Sequence, residues 1–170
     1  MKSFTPGPEH AGELRTALGQ FTTGVCVVTC ATDAGPLGMT VNSFTSVSLN
    51  PPLVLWCPAK VSLRHDAFVT AQNYAIHILS HTQRPLAEAF ARDGDVFSLC
   101  DWTTGGHDVP LIQDTTARFE CMLENTIDAG DHTVVLGRVT RVTTSDTPPL
   151  AFRSGTFGQF VMEDTDSHQS

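Results

Sequence analysis

Residues 38–56 read GMTVNSFTSVSLNPPLVLW, and the reading of this stretch decides the fold. Thr40, Asn42, Ser43, Thr45, Ser46 and Ser48 crowd into nine positions, and the chain then turns at Pro51-Pro52 into Leu53-Val54-Leu55-Trp56. Such residues predict two short strands that break around Ser43–Thr45, followed by an apolar strand buried on both faces. No charged residue lies between Asp33 and Lys60. A long solvated strand normally carries charge along its edge. Small uncharged donors on extended backbone equally suit a planar, polar-edged ligand. From the residues alone, a solvated strand and a ligand-binding ledge both stay open.

On the N-terminal side, Pro6-Gly7-Pro8 marks residues 1–10 as an irregular arm. Leu14, Leu18 and Phe21 recur at helical spacing and predict a short amphipathic helix ended by Gly24. VCVVTCAT then predicts a β-branched strand closed by the turn DAGP. On the C-terminal side, SLRHDAFVTAQ predicts a helix with Ser62 as N-cap, YAIHILS a strand, and RPLAEAFAR a helix with Pro85 in its first turn. Residues 93–116, with Gly94, Gly105-Gly106 and Pro110, form the longest irregular segment. ARFECMLENTIDA and HTVVLGRVTRVTT predict two long strands joined at Gly130-Asp131, and PPLAFRSGTFGQF a last short strand and turn. The acidic tail, 163–170, is expected to be disordered, leaving one domain over 11–162. Strands gather at both ends without strict β-α alternation, so the fold class is mainly β, a β-barrel with peripheral helices.

A chain of 170 residues, 41% apolar and 16% charged, suits one folded domain, and so small a charged fraction hints at surface hidden in an oligomer. The net charge of -8 supplies no basic face for nucleic acid. Without a signal-peptide core or an apolar run of about 18 residues, the protein is expected to be cytoplasmic, away from membranes. Cys26, Cys30, Cys57, Cys100 and Cys121 are an odd set without a CxxC pair. Cys26, Cys30 and Cys121 sit in apolar strand-like runs and read as buried thiols of a reducing compartment. His77 and His81 would not converge from a strand and its end, so no metal site is expected. The usual nucleotide loops GxGxxG and GxxxxGK[ST] are absent, as are HExxH and GxSxG.

Taken together, several blocks resemble the short-chain flavin reductase family, whose members serve two-component monooxygenases. The core of the likeness is Gly38-Met39-Thr40-Val41-Asn42-Ser43-Phe44, Ser46-Val47-Ser48 and Pro51-Pro52-Leu53-Val54. LGQFTTGVCVVT is similar to the family's opening helix and first strand, CPAKVS to the segment after its third strand, and LAEAFA to its second helix. GDHTVVLGRV matches its Gly-Asp-His motif, and PPLAFRSGTFG resembles its closing strand. The blocks span about residues 12–160 in the family's order.

The resemblance implies an FMN-binding split barrel, a homodimer, and a flavin site made by Pro36, Leu37, Gly38, Met39, Thr40 and Val41. Asn42 and Ser43 would contact the isoalloxazine edge, with Ser46 and Ser48 close by. Cys57, Pro58 and Ala59 match the segment along the flavin chain, with Ser62, Leu63 and Arg64 near the phosphate. Ala89 and Phe90 match a contact from the second helix. Leu150, Ala151, Phe152 and Arg153, with Phe157, match the segment near the nicotinamide nucleotide. By itself His132 reads as a polar turn residue; the resemblance places it on the nicotinamide side, with Asp131 orienting its imidazole. Where the family often follows the phosphate serine with a hydroxyl or arginine, Leu63 and Arg64 follow Ser62 here, which leaves Arg64 or Lys60 as the phosphate cation. The closing strand departs too, since its arginine, Arg153, is shifted by one.

The implied activity is hydride transfer from NADH, or NADPH, to FMN or FAD, with reduced flavin passed to a flavin-dependent monooxygenase. The cofactors carry that chemistry, so the site should consist of positioning groups rather than an acid-base pair. Two rivals on the same fold are an FMN-bound reductase of another acceptor, such as a cobalt corrinoid or ferric chelate, and a non-catalytic flavin-binding carrier or sensor.

Overall fold

From Val25 to Cys30 every residue is buried, which a strand of period two allows only with a core on each face. In the computed structural model, which describes residues 1–161, this is what happens. Cys26, Val28 and Cys30 point into one core with Met39, Val54, Trp56, Phe68, Tyr74, Ile76, Cys121 and Val135. Val25 and Val27 point the opposite way, into a second core with Leu79, Leu86, Ala87, Phe90, Phe97, Ile112 and Leu150.

The strands are β1 (Thr23–Gly24), β2 (Cys26–Thr32), β3 (Gly35–Val41), β4 (Thr45–Leu49), β5 (Pro52–Trp56) and β6 (Asn73–Ile78). They continue as β7 (Trp102–Thr104), β8 (Pro110–Ile112), β9 (Ala117–Ala129), β10 (His132–Thr144), β11 (Leu150–Arg153) and β12 (Thr156–Gln159). The α-helices are α1 (Ala11–Leu18), α2 (His65–Thr70) and α3 (Arg84–Arg92). A seven-stranded antiparallel sheet runs β3-β2-β6-β9-β10-β5-β4, beside a three-stranded sheet β1-β11-β12 and the pair β7-β8. The architecture is mainly β, of the split-barrel type expected from the sequence.

Trp56, Phe68 and Tyr74 anchor the first core; Trp56 meets Phe68 edge-on, with ring centroids 5.4 Å apart. Burial of side chains this large contributes about 2–3 kcal/mol each. In the second core His77 is fully buried. Its Nδ1 lies 3.0 Å from Val27 O, and its Nε2 accepts the Ile112 N–H at 3.1 Å. A neutral ring protonated at Nδ1 satisfies both, and burial pushes its pKa down to about 3. His77 is a core histidine that ties β2, β6 and β8 together. Burial likewise pushes the Cys26, Cys30 and Cys121 thiols up to about 12.

Several expectations are corrected. The first helix ends at Leu18, with Gly19 as its cap; Gly24 pairs with Ala151 in β1. Nothing in α1 is buried, and Leu18 and Phe21 are exposed, so its apolar stripe faces away from the chain's own cores. β5 buries only Val54 and Trp56, while Leu53 and Leu55 are half-buried on its other face. Ser62 is not an N-cap: α2 starts at His65 behind Arg64, after a run of turns. The segment 93–116 contains β7, β8 and two 3-10 turns, and the closing element is the hairpin β11-β12. In the N-terminal arm, Pro8–His10 forms a 3-10 turn. The tail expected over 163–170 lies outside the described residues.

Candidate functional site

Ser43 sits between β3 and β4 and closes onto the end of β5. The Cys57 N–H donates to Ser43 Oγ at 2.9 Å, and Ser43 Oγ lies 3.4 Å from Cys57 O. At the other end of the same ledge, Thr40 Oγ1 donates to Ala87 O of α3 at 2.7 Å. Arg64 donates from Nη1 to Gly38 O at 2.9 Å and to Phe90 O at 2.6 Å, and from Nη2 to Ala91 O at 3.1 Å. Its guanidinium therefore caps the last carbonyls of α3 and holds β3 against them. Partial burial lowers the Arg64 pKa, against the raising charge of Asp93. Three side chains expected to reach a ligand thus spend their polar atoms joining β3, the 57–64 segment and α3. Arg64, expected near the phosphate, spends three of its five N–H donors tying β3 to α3.

Gly38 makes the close approach work. A Cβ there would lie 2.3 Å from Cε1 of the Phe90 ring. Phe90 is fully buried in the second core, with its ring 5.0 Å from that of Phe97. Its side chain, expected beside the ledge, is turned into that core.

Asn42 is exposed and stands where three hollows meet. One, of about 340 Å³, is walled by Val25, Thr40, Val41, Ala87, Ala91 and Phe152, with Phe157, Glu88 and Arg92 completing it. A second, of about 550 Å³, shares Asn42 and Phe152 and runs along the end of α1 past Gln20 to Ser154. The third runs from Phe21 to Gly24 and from Asn42 to Thr45. Volumes of this size with mainly apolar walls and a few polar groups are typical of cofactor sites. Thr23 Oγ1, which lines the second and third hollows, is buried without a hydrogen-bond partner among the described residues. An apolar trough with the Asn42 amide at its rim fits a flavin ring and its polar edge.

The remaining expected residues divide. Thr40, Val41, Asn42, Phe152 and Phe157 come together around the first hollow. Leu150 is buried in the second core, and Met39 in the first. Pro36 and Leu37 lie at the far end of β3, opposite Ala31 and Cys30, while Ala151 lies opposite Gly24. Ser46 and Ser48 lie on edge strand β4 opposite Val54 and Leu53, outside the hollows that Asn42 lines. Arg153 donates to Gln20 Oε1 at 3.0 Å. Leu63 is fully exposed, and Ser62 Oγ accepts the Arg64 N–H at 3.3 Å. Of the helix pair expected from α3, Ala89 is half-buried; the residues that line the hollow are Ala87, Glu88, Ala91 and Arg92.

His132 opens β10 directly after the Gly130-Asp131 turn, and Gly130 takes a left-handed φ of 65° there. His132 forms a β-bridge with Ala59, flanked by hydrogen bonds from Lys60 N–H to Asp131 O at 2.9 Å and from Thr133 N–H to Pro58 O at 3.1 Å. The segment 57–60 and the histidine turn are thus one short sheet. Asp131 Oδ1 lies 2.8 Å from His132 Nδ1, and this hydrogen bond, then the imidazole's charge, holds the Asp131 carboxyl below the usual range.

Sequence reasoning missed Thr23, Val25, Ala87 and Ala91. The alanines and the valine carry no chemical signal. Thr23, a hydroxyl just before a fully apolar strand, was visible in the pattern TTGVCVV.

The comparisons with known proteins bear on family and fold. The model of the "Flavin reductase like domain" family matches residues 18–160. FMN reductase (NADH) SmoA of Agrobacterium fabrum is 54% identical over 157 residues, which cover 92% of this chain and 90% of that protein. The reductase component of a flavin-dependent trigonelline monooxygenase from Acinetobacter baylyi is 40% identical over 156 residues, covering 91% of this chain and 50% of that longer protein. A solved structure of the Streptomyces globisporus NADH:FAD oxidoreductase SgcE6, in complex with NAD and FAD fragments, superposes with a TM-score of 0.86 at 38% identity, covering 96% of this chain and 100% of that one. This chain belongs to the flavin reductase like domain family.

Proposed function

We infer that the protein is an NADH-dependent flavin reductase, reducing FMN or FAD and delivering the reduced flavin to a partner monooxygenase. The observation that carries the site assignment is the Ala59–His132 bridge, which sets a histidine beside the segment whose Cys57 N–H bonds the ledge residue Ser43. A bound flavin would supply the hydride acceptor. The chain's own residues supply placement. Val25, Ala87, Ala91 and Phe152 exclude water from a flat apolar ring, and Asn42 offers a polar group at its rim. Asp131 fixes the His132 imidazole for the nicotinamide side. With Arg64 committed to carbonyls, Ser62 is the side chain left at the phosphate end.

The functional unit is the domain over 11–162 acting as a homodimer. The exposed Leu18, Phe21, Leu49 and Ile127 support that reading, since a single chain leaves them in water. The five free cysteines suit a reducing cytoplasm. Among the described residues no helix is long and apolar enough to cross a membrane.

The test is an absorbance titration of the purified protein with FMN and FAD, paired with NADH oxidation with and without added free flavin. Turnover that requires free flavin is the expected result. Turnover by tightly bound flavin with a metal acceptor points to the other reductase class, and flavin binding without NADH oxidation to a carrier. A protein that binds no flavin overturns the assignment.

A further inference from the structure

Lys60 is one of two lysines in the chain and was a candidate for the flavin phosphate. Its ammonium faces elsewhere. Nζ donates to Asp128 Oδ1 at 2.5 Å and to Gly130 O at 2.7 Å, on the turn that leads into His132. Two of its three donors are therefore committed to the hairpin, and its backbone N–H holds the same turn through Asp131 O. The turn needs such a hold. Asp128, Gly130 and Asp131 are all exposed, so little packing fixes the turn, and the Lys60 charge also helps to hold the Asp131 carboxyl below the usual range. On the other flank, His65 Nε2 lies 2.9 Å from the hydroxyl of Thr133, the residue after His132. The histidine is thus gripped from both sides by the segment that runs from Cys57 to α2.

We propose that Lys60 is a positioning residue for the nicotinamide side of the reaction: it locks the turn carrying His132 to the flavin-chain segment, and NADH affinity depends on that lock while flavin affinity does not. The proposal rests on the flavin reductase reading. Lys60 acts through His132 and touches neither substrate. The segment expected along the flavin and the group expected at the nicotinamide thereby share one rigid frame, so a loosened turn misplaces the imidazole without opening the ledge.

The experiment compares Lys60→Met, Lys60→Arg, Asp128→Asn and the Lys60→Met/Asp128→Asn double variant with the unaltered protein. Steady-state KM and kcat for NADH are read at saturating flavin, and the flavin Kd by fluorescence quenching. A half-exposed ion pair implies a KM for NADH raised about fivefold in Lys60→Met and in Asp128→Asn. The double variant should be no worse than either single one, Lys60→Arg should restore KM, and kcat and flavin Kd should stay within about twofold throughout. A weakened flavin Kd in Lys60→Met with Asp128→Asn unaffected makes Lys60 a phosphate ligand and overturns the proposal. Unchanged KM in both single variants overturns it as well, while the unaltered protein still turning over leaves the flavin reductase reading intact. If the unaltered protein oxidises no NADH with either flavin, both fall together.

Discussion

Arg64 and Gly38, 26 positions apart, are joined by a 2.9 Å hydrogen bond from the guanidinium to the glycine carbonyl. The same guanidinium takes two carbonyls at the end of α3, so one side chain closes a triangle between β3, α2 and α3. That closure holds the ledge over residues 38–42 against α3. Its shape is set by contacts that lie behind it.

Arg64→Lys should therefore act on stability. Lysine's point ammonium cannot span three carbonyls as the fork does, and losing charged hydrogen bonds to the two part-buried carbonyls costs about 1–3 kcal/mol. A urea midpoint lowered accordingly, with flavin affinity at low temperature near that of the unaltered protein, is the expected pair of readings. Intact stability with a large loss of flavin affinity would return Arg64 to the phosphate.

Gly38→Ala should destabilise through the Phe90 ring, whose carbons lie 2.3 and 2.5 Å from the new methyl. Phe90 has no room to retreat, and overpacking of this kind costs about 1–3 kcal/mol. Thermal unfolding reads the loss. Phe90→Leu in the same chain should recover part of it, and a Gly38→Ala protein as stable as its parent would rule out the close approach.

His132→Ala should raise the KM for NADH by about tenfold while the flavin Kd moves less than about twofold. Asp131→Asn, which keeps a hydrogen bond to the ring but removes the charge, should fall between. Initial rates with varied NADH and a separate flavin titration resolve the two effects. Equal losses in both would assign His132 to the flavin instead.

His77 should make the fold sensitive to acid. Its folded pKa, about 3, lies below the unfolded value near 6.5. Between those values the unfolded chain binds the proton and the folded one does not. The stabilisation is thus complete above pH 6.5 and is lost as pH falls towards 3, by about 2 kcal/mol between pH 7 and pH 5. Urea unfolding across that range measures the slope, and a His77→Gln variant should show a shallower one.

How much of this could be read from the chain depends on which force fixed each part. The long strands, the Gly130 turn and the β-branched strand over the VCVVTC run follow from hydrophobic period and turn chemistry, which act locally. β5 was misread because Leu53 and Leu55 look like core residues, yet the single chain leaves their face partly open. α1 was misread for the same reason, its stripe having no partner within the chain. Ser62 looked like a cap until Arg64, drawn to carbonyls of distant β3 and α3, set the helix start. In α3 the sequence pattern marked one buried face. Only the packed structure tells which alanines line the hollow and that Phe90 turns inward. Resemblance supplied the identity of the ledge residues, but it could not tell that the hydroxyls of Thr40 and Ser43 are occupied by backbone groups.

The buried sulfurs of Cys26, Cys30 and Cys121 carry a consequence for a molecule that handles dihydroflavin. Electrons left on free dihydroflavin leak to dioxygen and yield hydrogen peroxide, whose target on a protein is the thiolate. At these three positions the thiolate is suppressed and water is shut out, so the cores resist the by-product of the enzyme's own turnover. Oxidative damage should instead begin at the half-covered Cys57 and Cys100, and Cys57 adjoins the ledge itself.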